Sequence, residues 1–164
     1  MSQQDVEIVR GVLDGFSHSD RERVEPLLHP DLEWRSVVGP LLGVETISGR
    51  DAMLRFAFEE IPDAIENQHV EVEELKDLGE GRVLVVARYV GRGRRSGIEL
   101  DQRIASLHRL NEGMIVSVDD YSTREEALEA AGLSGQGESA AGRQLADGTA
   151  PGSKLSPGSS TRVW

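Results

Sequence analysis

Apolar residues Val6, Val9, Val12, Leu13 and Phe16 recur at three- and four-residue spacing, which predicts an amphipathic helix over residues 5–16. Ser19 and Glu22 form a capping-box pattern for a second, short helix through Val24, Leu27 and Leu28, which the His29-Pro30 step should end. Over 31–38 the period changes to two: Leu32, Trp34 and Ser36 alternate with Glu33, Arg35 and Val37, as in a strand that buries Trp34 and stops at Gly39-Pro40. Ser48 with Asp51 opens a third helix carrying Met53, Leu54, Phe56, Ala57, Phe58 and Ile61, expected to stop near Pro62. Extended segments follow at 68–78, 82–90, 97–110 and 114–121, and their short links favour an antiparallel meander. Ser122 or Thr123 can cap a last helix over 124–131, with Gly132-Leu133 as its C-terminal stop.

The last two extended segments carry polar residues where the alternation calls for apolar ones. Ile98, Leu100, Gln102, Ile104, Ser106, His108 and Leu110 share one face, whereas Glu99, Asp101, Arg103 and Arg109 belong to the other. With a turn at Asn111-Glu112-Gly113, Leu110 faces Met114 and Asp120 lies opposite Ile104, flanked diagonally by Gln102 and Ser106. A carboxylate on the inner face costs free energy unless it is hydrogen-bonded or reached by water, so a polar network or a cavity is expected at Asp120. Asp119 is its neighbour and must face the other way, which excludes a carboxylate pair. In this register His108 is four residues from Ile104, roughly 13 Å along the strand from Asp120. One residue of the preceding segment joins this face, and the loop 91–97 decides which: Arg88 if Val90 faces Ile98, Tyr89 if the register slips by one.

Composition narrows the classes. The chain has 164 residues, 38% of them hydrophobic, enough for one domain with an additional segment. We expect that domain over 1–133 and a flexible Gly/Ser/Ala/Pro-rich tail over 134–164, where no hydrophobic period is visible. Without cysteine there is no disulfide, thiol nucleophile or zinc–thiolate site. His18, His29 and His69 form no metal-ligand spacing, so no metal or other cofactor is expected. A formal charge of -11 argues against nucleic acid as the main partner. With no basic-then-apolar start and no membrane-length apolar run, the expectation is a cytoplasmic protein with no membrane partner. The basic loop Gly91-Arg92-Gly93-Arg94-Arg95-Ser96-Gly97 lacks the order of a dinucleotide-binding motif.

Leu28-His29-Pro30-Asp31-Leu32-Glu33-Trp34, Ile47-Ser48-Gly49-Arg50-Asp51-Ala52 and Gly113-Met114-Ile115-Val116 through Tyr121 occur in an order that resembles the SnoaL-like branch of the nuclear transport factor two-like superfamily. The resemblance spans roughly residues 4–133 and implies an α+β cone: a strongly curved antiparallel sheet packed on three N-terminal helices, with a short C-terminal helix. It also implies a homodimer formed through the outer face of the sheet. Members include polyketide cyclases, ketosteroid isomerases, epoxide hydrolases and non-catalytic binding modules, so the fold leaves the function open. In SnoaL-type cyclases a strand-borne Asp serves as acid and base, and Asp120 is the residue placed to resemble it. Asp101 and Arg103 share a strand face, but they reverse the Arg-before-Asp order of the epoxide hydrolases and read as a solvent-side ion pair.

The expected function is therefore binding of a hydrophobic or polyketide-like small molecule in the cone pocket, with acid–base chemistry of the cyclase or isomerase type. The alternative is a non-catalytic ligand-binding or dimerisation module. The catalytic candidates are Asp120 and His108, and the candidate ligand contacts are Trp34, Phe56, Arg88, Tyr89, Gln102 and Ser106.

Overall fold

The computed structural model describes residues 2–37, 40 and 43–133, so the expected tail and the Gly39 break lie outside the described residues. The chain opens with α1 (Ser2–Ser17), a short α2 (Arg21–Val24) and a 3-10 turn (Glu25–Leu27), then enters β1 (Leu28–Arg35) and β2 (Thr46–Ser48). A helical run follows: α3 (Arg50–Arg55), a π turn (Phe56–Glu60) and α4 (Ile61–Ala64). Four long strands, β3 (Ile65–Gly79), β4 (Arg82–Gly93), β5 (Glu99–Asn111) and β6 (Met114–Tyr121), lead to α5 (Arg124–Ala130).

The strands form one six-stranded sheet in the order β2-β1-β6-β5-β4-β3. β3 to β6 make the expected antiparallel meander, while β1 lies parallel to β6 and brings the N-terminal half of the chain beside the last strand. Pro30 sits in β1 where the pairing with β6 shifts between Leu28 and Glu33, a place where its missing N–H breaks no regular ladder. This explains why the chain continues as a strand through His29-Pro30 instead of starting at 31. β2 is too short to show a period in sequence and pairs with the end of β1.

Helix starts differ from the capping patterns in two places. Asp20, not Ser19, caps α2, its side chain accepting from the Arg23 N–H. Gly49 precedes α3 with no side-chain cap, because Ser48 is held in β2. Pro62 lies in the first turn of α4, where no backbone N–H is required, so the helix continues to Ala64. Thr123 caps α5 as expected, and the Leu133 N–H closes it on the Leu128 carbonyl at 2.9 Å.

The main core fills the concave side: Val9, Val12 and Leu13 of α1 and Met53, Leu54 and Phe56 of the α3 run pack on Val83, Val85, Ile104, Ile115 and Val118 of the sheet. A smaller cluster on the convex side buries Leu84, Val86 and Ala105 beneath Ala127 of α5. Full burial of a Val or Leu is worth about 1.5–3 kcal/mol, so this short helix is held chiefly by packing. The β3–β4 turn is constrained by Gly81, whose φ is 74° and whose added Cβ would stand 2.7 Å from the Leu110 carbonyl oxygen. Gly81→Ala is expected to cost roughly 1–3 kcal/mol of folding stability, read from the urea midpoint; an unchanged midpoint would show that the turn yields.

Candidate functional site

Two local features of the β5–β6 hairpin determine which acidic residue faces the core. Its turn is the two-residue pair Glu112-Gly113, with φ of 53° and 79°, as in a type I′ turn, so Asn111 pairs with Met114 and Leu110 with Ile115. A register shift then places Ser117 instead of Val116 opposite Arg109, leaving one extra residue in β6. From there Val118 pairs with His108, Asp119 with Leu107 and Asp120 with Ser106. Without the bulge, Asp119 would face Ser106. The turn is one residue shorter than expected and the bulge adds one, so Asp120 stays on the inner face but lies opposite Ser106, not Ile104.

On the inner face, Ser106 Oγ donates to Oδ1 of Asp120 at 2.7 Å, while Oδ2 accepts from Trp34 Nε1 at 3.1 Å and from the Val37 N–H at 3.3 Å. Asp120 thus fastens the segment leaving β1 to the centre of the sheet. All three donors favour the carboxylate, yet desolvation outweighs them and raises the carboxyl from 3.8 to about 6. The group remains half-buried, with part of its surface open to the adjoining space. Asp119, on the outer face, pairs with Arg35 at 3.1 Å.

Two small chambers, each about 20 Å³, adjoin this carboxylate. The one towards the Leu100 end of β5, termed the outer chamber, is lined by Ile61, Ile65, Gln68, Val90 and Leu100; the one towards His108, termed the inner chamber, by Phe16, Met53, Ser106, His108 and Val118 among others; Trp34, Tyr89 and Asp120 border both. Tyr89 pairs with Gln102 across β4 and β5, so it is the member of the Arg88/Tyr89 pair that turns inward. Its hydroxyl bonds no described residue, and burial together with the Asp120 charge raises its pKa, keeping it a proton donor at neutral pH.

Arg88, expected as a ligand contact, stands outside the site. It lies on the outer face, bound to Asp101 at 2.8 Å and to Glu71 at 3.0 Å, and cannot contact a ligand at Asp120. The loop register placed Val90 opposite Asp101 instead of Ile98. Arg103 likewise pairs outward, with Glu73 at 2.7 Å, so Asp101 and Arg103 do not form the mutual pair expected. Phe56 is buried behind Trp34, ring centroids 5.5 Å apart and nearly perpendicular, and borders neither chamber; it supports the wall instead of forming it. Trp34 was expected as a wall only, and its hydrogen bond to Asp120 was missed because partners 86 residues apart leave no local pattern.

Gln102 and His108 are buried, and Gln102 Oε1 and His108 Nδ1 have no hydrogen-bond partner among the described residues. Burial lowers the His108 pKa to about 4, so the ring is neutral at physiological pH. His108 is two residues, not four, from the position facing Asp120. The described residues contain no group of His, Asp and Glu able to hold a metal and no helix long and apolar enough to cross a membrane.

The family model of the SnoaL-like domain matches residues 9–118, ending two positions before Asp120. A comparison with curated proteins finds no match. An NTF2-like protein from Burkholderia thailandensis E264 is similar in structure, with TM-score 0.65 and 23% identity over 79% of this chain and 95% of that one. TerC, co-crystallised with polyporic acid, gives 0.63 and 18% over 79% and 97%. A candidate SnoaL-like polyketide cyclase from Jannaschia sp. CCS1 gives 0.60 and 16% over 81% and 92%.

Proposed function

The chain belongs to the SnoaL-like domain family, and from that premise we propose that it binds a hydrophobic or polyketide-like small molecule beside Asp120 and moves protons on it. The observation that carries this reading is the Asp120 carboxyl itself: bordering both chambers, fixed by three donors, and poised at about 6, where it can both take and return a proton near neutral pH. Oδ2 already accepts two hydrogen bonds, so Oδ1, bonded once, is the atom that receives the ligand's proton. Tyr89 supplies the hydroxyl that stabilises negative charge developing on a carbonyl oxygen. A chamber of about 20 Å³ admits only a water-sized group. A ring therefore enters by joining the two, with displacement of Tyr89, which of the three side chains bordering both chambers is the one whose polar end no described residue holds. The polyporic acid in TerC supports a small organic occupant.

A second reading, a non-catalytic ligand-binding or dimerisation module, is favoured by the same three hydrogen bonds, which give Asp120 a structural task in anchoring residues 34–37. In either case we propose a homodimer through the part of the outer sheet face that α5 leaves open, where Arg88 and Arg103 are ion-paired. The discriminating measurement is deuterium exchange at the α-carbon of 2-tetralone, an enolisable apolar ketone, followed by NMR in D₂O. Exchange accelerated above buffer supports proton transfer; binding without acceleration supports the module.

A further inference from the structure

His108 lines the inner chamber with a buried ring, Nδ1 unpartnered, and no hydrogen bond from either ring nitrogen to a described residue. A buried polar group left unpaired is destabilising, so a partner for it is favoured. Two residues away on the same face of β5, Ser106 is bonded to Asp120, and the same chamber borders all three side chains. Positions i and i+2 of a strand stand roughly 7 Å apart, a gap that one water with two hydrogen bonds of ~2.8 Å comes close to spanning. The free space of about 20 Å³ fits one water molecule, and polar partners converge on it. Among the described residues that line the chamber, α1 and α3 present Val12, Leu13, Phe16 and Met53, and the other titratable group is Tyr89 on β4; Asp119, on the opposite face of β6, adds a repulsive charge to Asp120.

We propose that the inner chamber binds a single ordered water, hydrogen-bonded between the His108 imidazole and the Asp120–Ser106 pair, and that His108 acts on Asp120 through this water. His108 is then a positioning residue. The water donates a hydrogen bond to the Asp120 carboxylate and favours its charged form, opposing desolvation. A ligand oxygen of the same size that displaces the water takes over both contacts. The functional part of this inference rests on Asp120 being the acid–base group; the water site does not.

The test pairs an atomic-resolution crystal structure of the full chain with NMR titration of the Asp120 carboxyl in the unmodified protein, His108→Phe and His108→Gln. The expected result is a solvent peak within hydrogen-bond distance of the His108 ring and of Asp120 or Ser106. His108→Phe, which fills the chamber, should raise the Asp120 midpoint by about one pH unit, and His108→Gln, which keeps a polar end, should restore it. An inner chamber without that peak, or equal midpoints in the two variants, overturns the proposal; if the Phe variant does not fold, the unmodified crystal decides. A solvent peak together with an Asp120 midpoint at the ordinary carboxyl value supports the water site and removes the acid–base reading.

Discussion

Asp120→Asn should reduce α-proton exchange of 2-tetralone by about 10²–10⁴-fold, the usual contribution of a positioned general base, while the folded protein becomes more stable at pH 8. The two effects share a cause. An amide cannot accept the proton, so transfer is lost, but it fits the existing contacts: its oxygen accepts from Trp34 and Val37, and its NH₂ donates to the Ser106 hydroxyl, which can turn to accept. The charge that was costly to bury is gone. Because the folded-state pKa is raised from 3.8 to about 6, the stability tied to Asp120 protonation is fully present below 3.8 and is lost as pH rises through about 6. The corresponding loss is at most roughly 3 kcal/mol, since the carboxyl keeps part of its surface open. Urea melts of the two proteins should therefore nearly coincide at pH 3.5 and diverge in favour of Asn by pH 8. Exchange retained by Asp120→Asn would eliminate Asp120 as the base, and melts that diverge in the opposite sense would show that the carboxylate is a net stabiliser.

Trp34→Phe should cost roughly 1–3 kcal/mol at pH 8 and distinctly less at pH 4. The substitution removes the Nε1–H that bonds Oδ2 while leaving an aromatic ring to meet Phe56. The lost donor served the carboxylate, so the Asp120 midpoint should rise and the stability difference should shrink once the group is protonated. A cost independent of pH would assign the effect to lost packing area. Together the two variants separate Trp34 as a donor from Trp34 as a wall.

The residue pattern revealed most of the fold because its signals are local. The period of α1, the alternation in β4 to β6 and the Thr123 cap each depend on residues within a few positions of one another. The inward set Gln102, Ser106 and His108 was legible for the same reason, since strand parity within β5 alone assigns it. What failed depends on register. Whether Arg88 or Tyr89 turns inward was fixed by where the 91–97 loop ends, and the strands close with Val90 opposite Asp101. The hydrogen bond from Trp34 to Asp120 arises because β1 adds in parallel beside β6, a pairing that no local pattern announces. The inward placement of Asp120 was read correctly through two offsetting differences, a shorter turn and an extra residue in β6.

That extra residue has a bearing on how this chain is aligned with its relatives. Asp119 and Asp120 are chemically identical and adjacent, and only the bulge ahead of them makes one an outer ion-pair partner and the other the carboxylate beside the chambers. A gap of a single position near Val116 therefore exchanges the acid paired with Arg35 for the one held by Ser106 and Trp34, and residue-by-residue transfer of roles is sound only between chains that share the bulge.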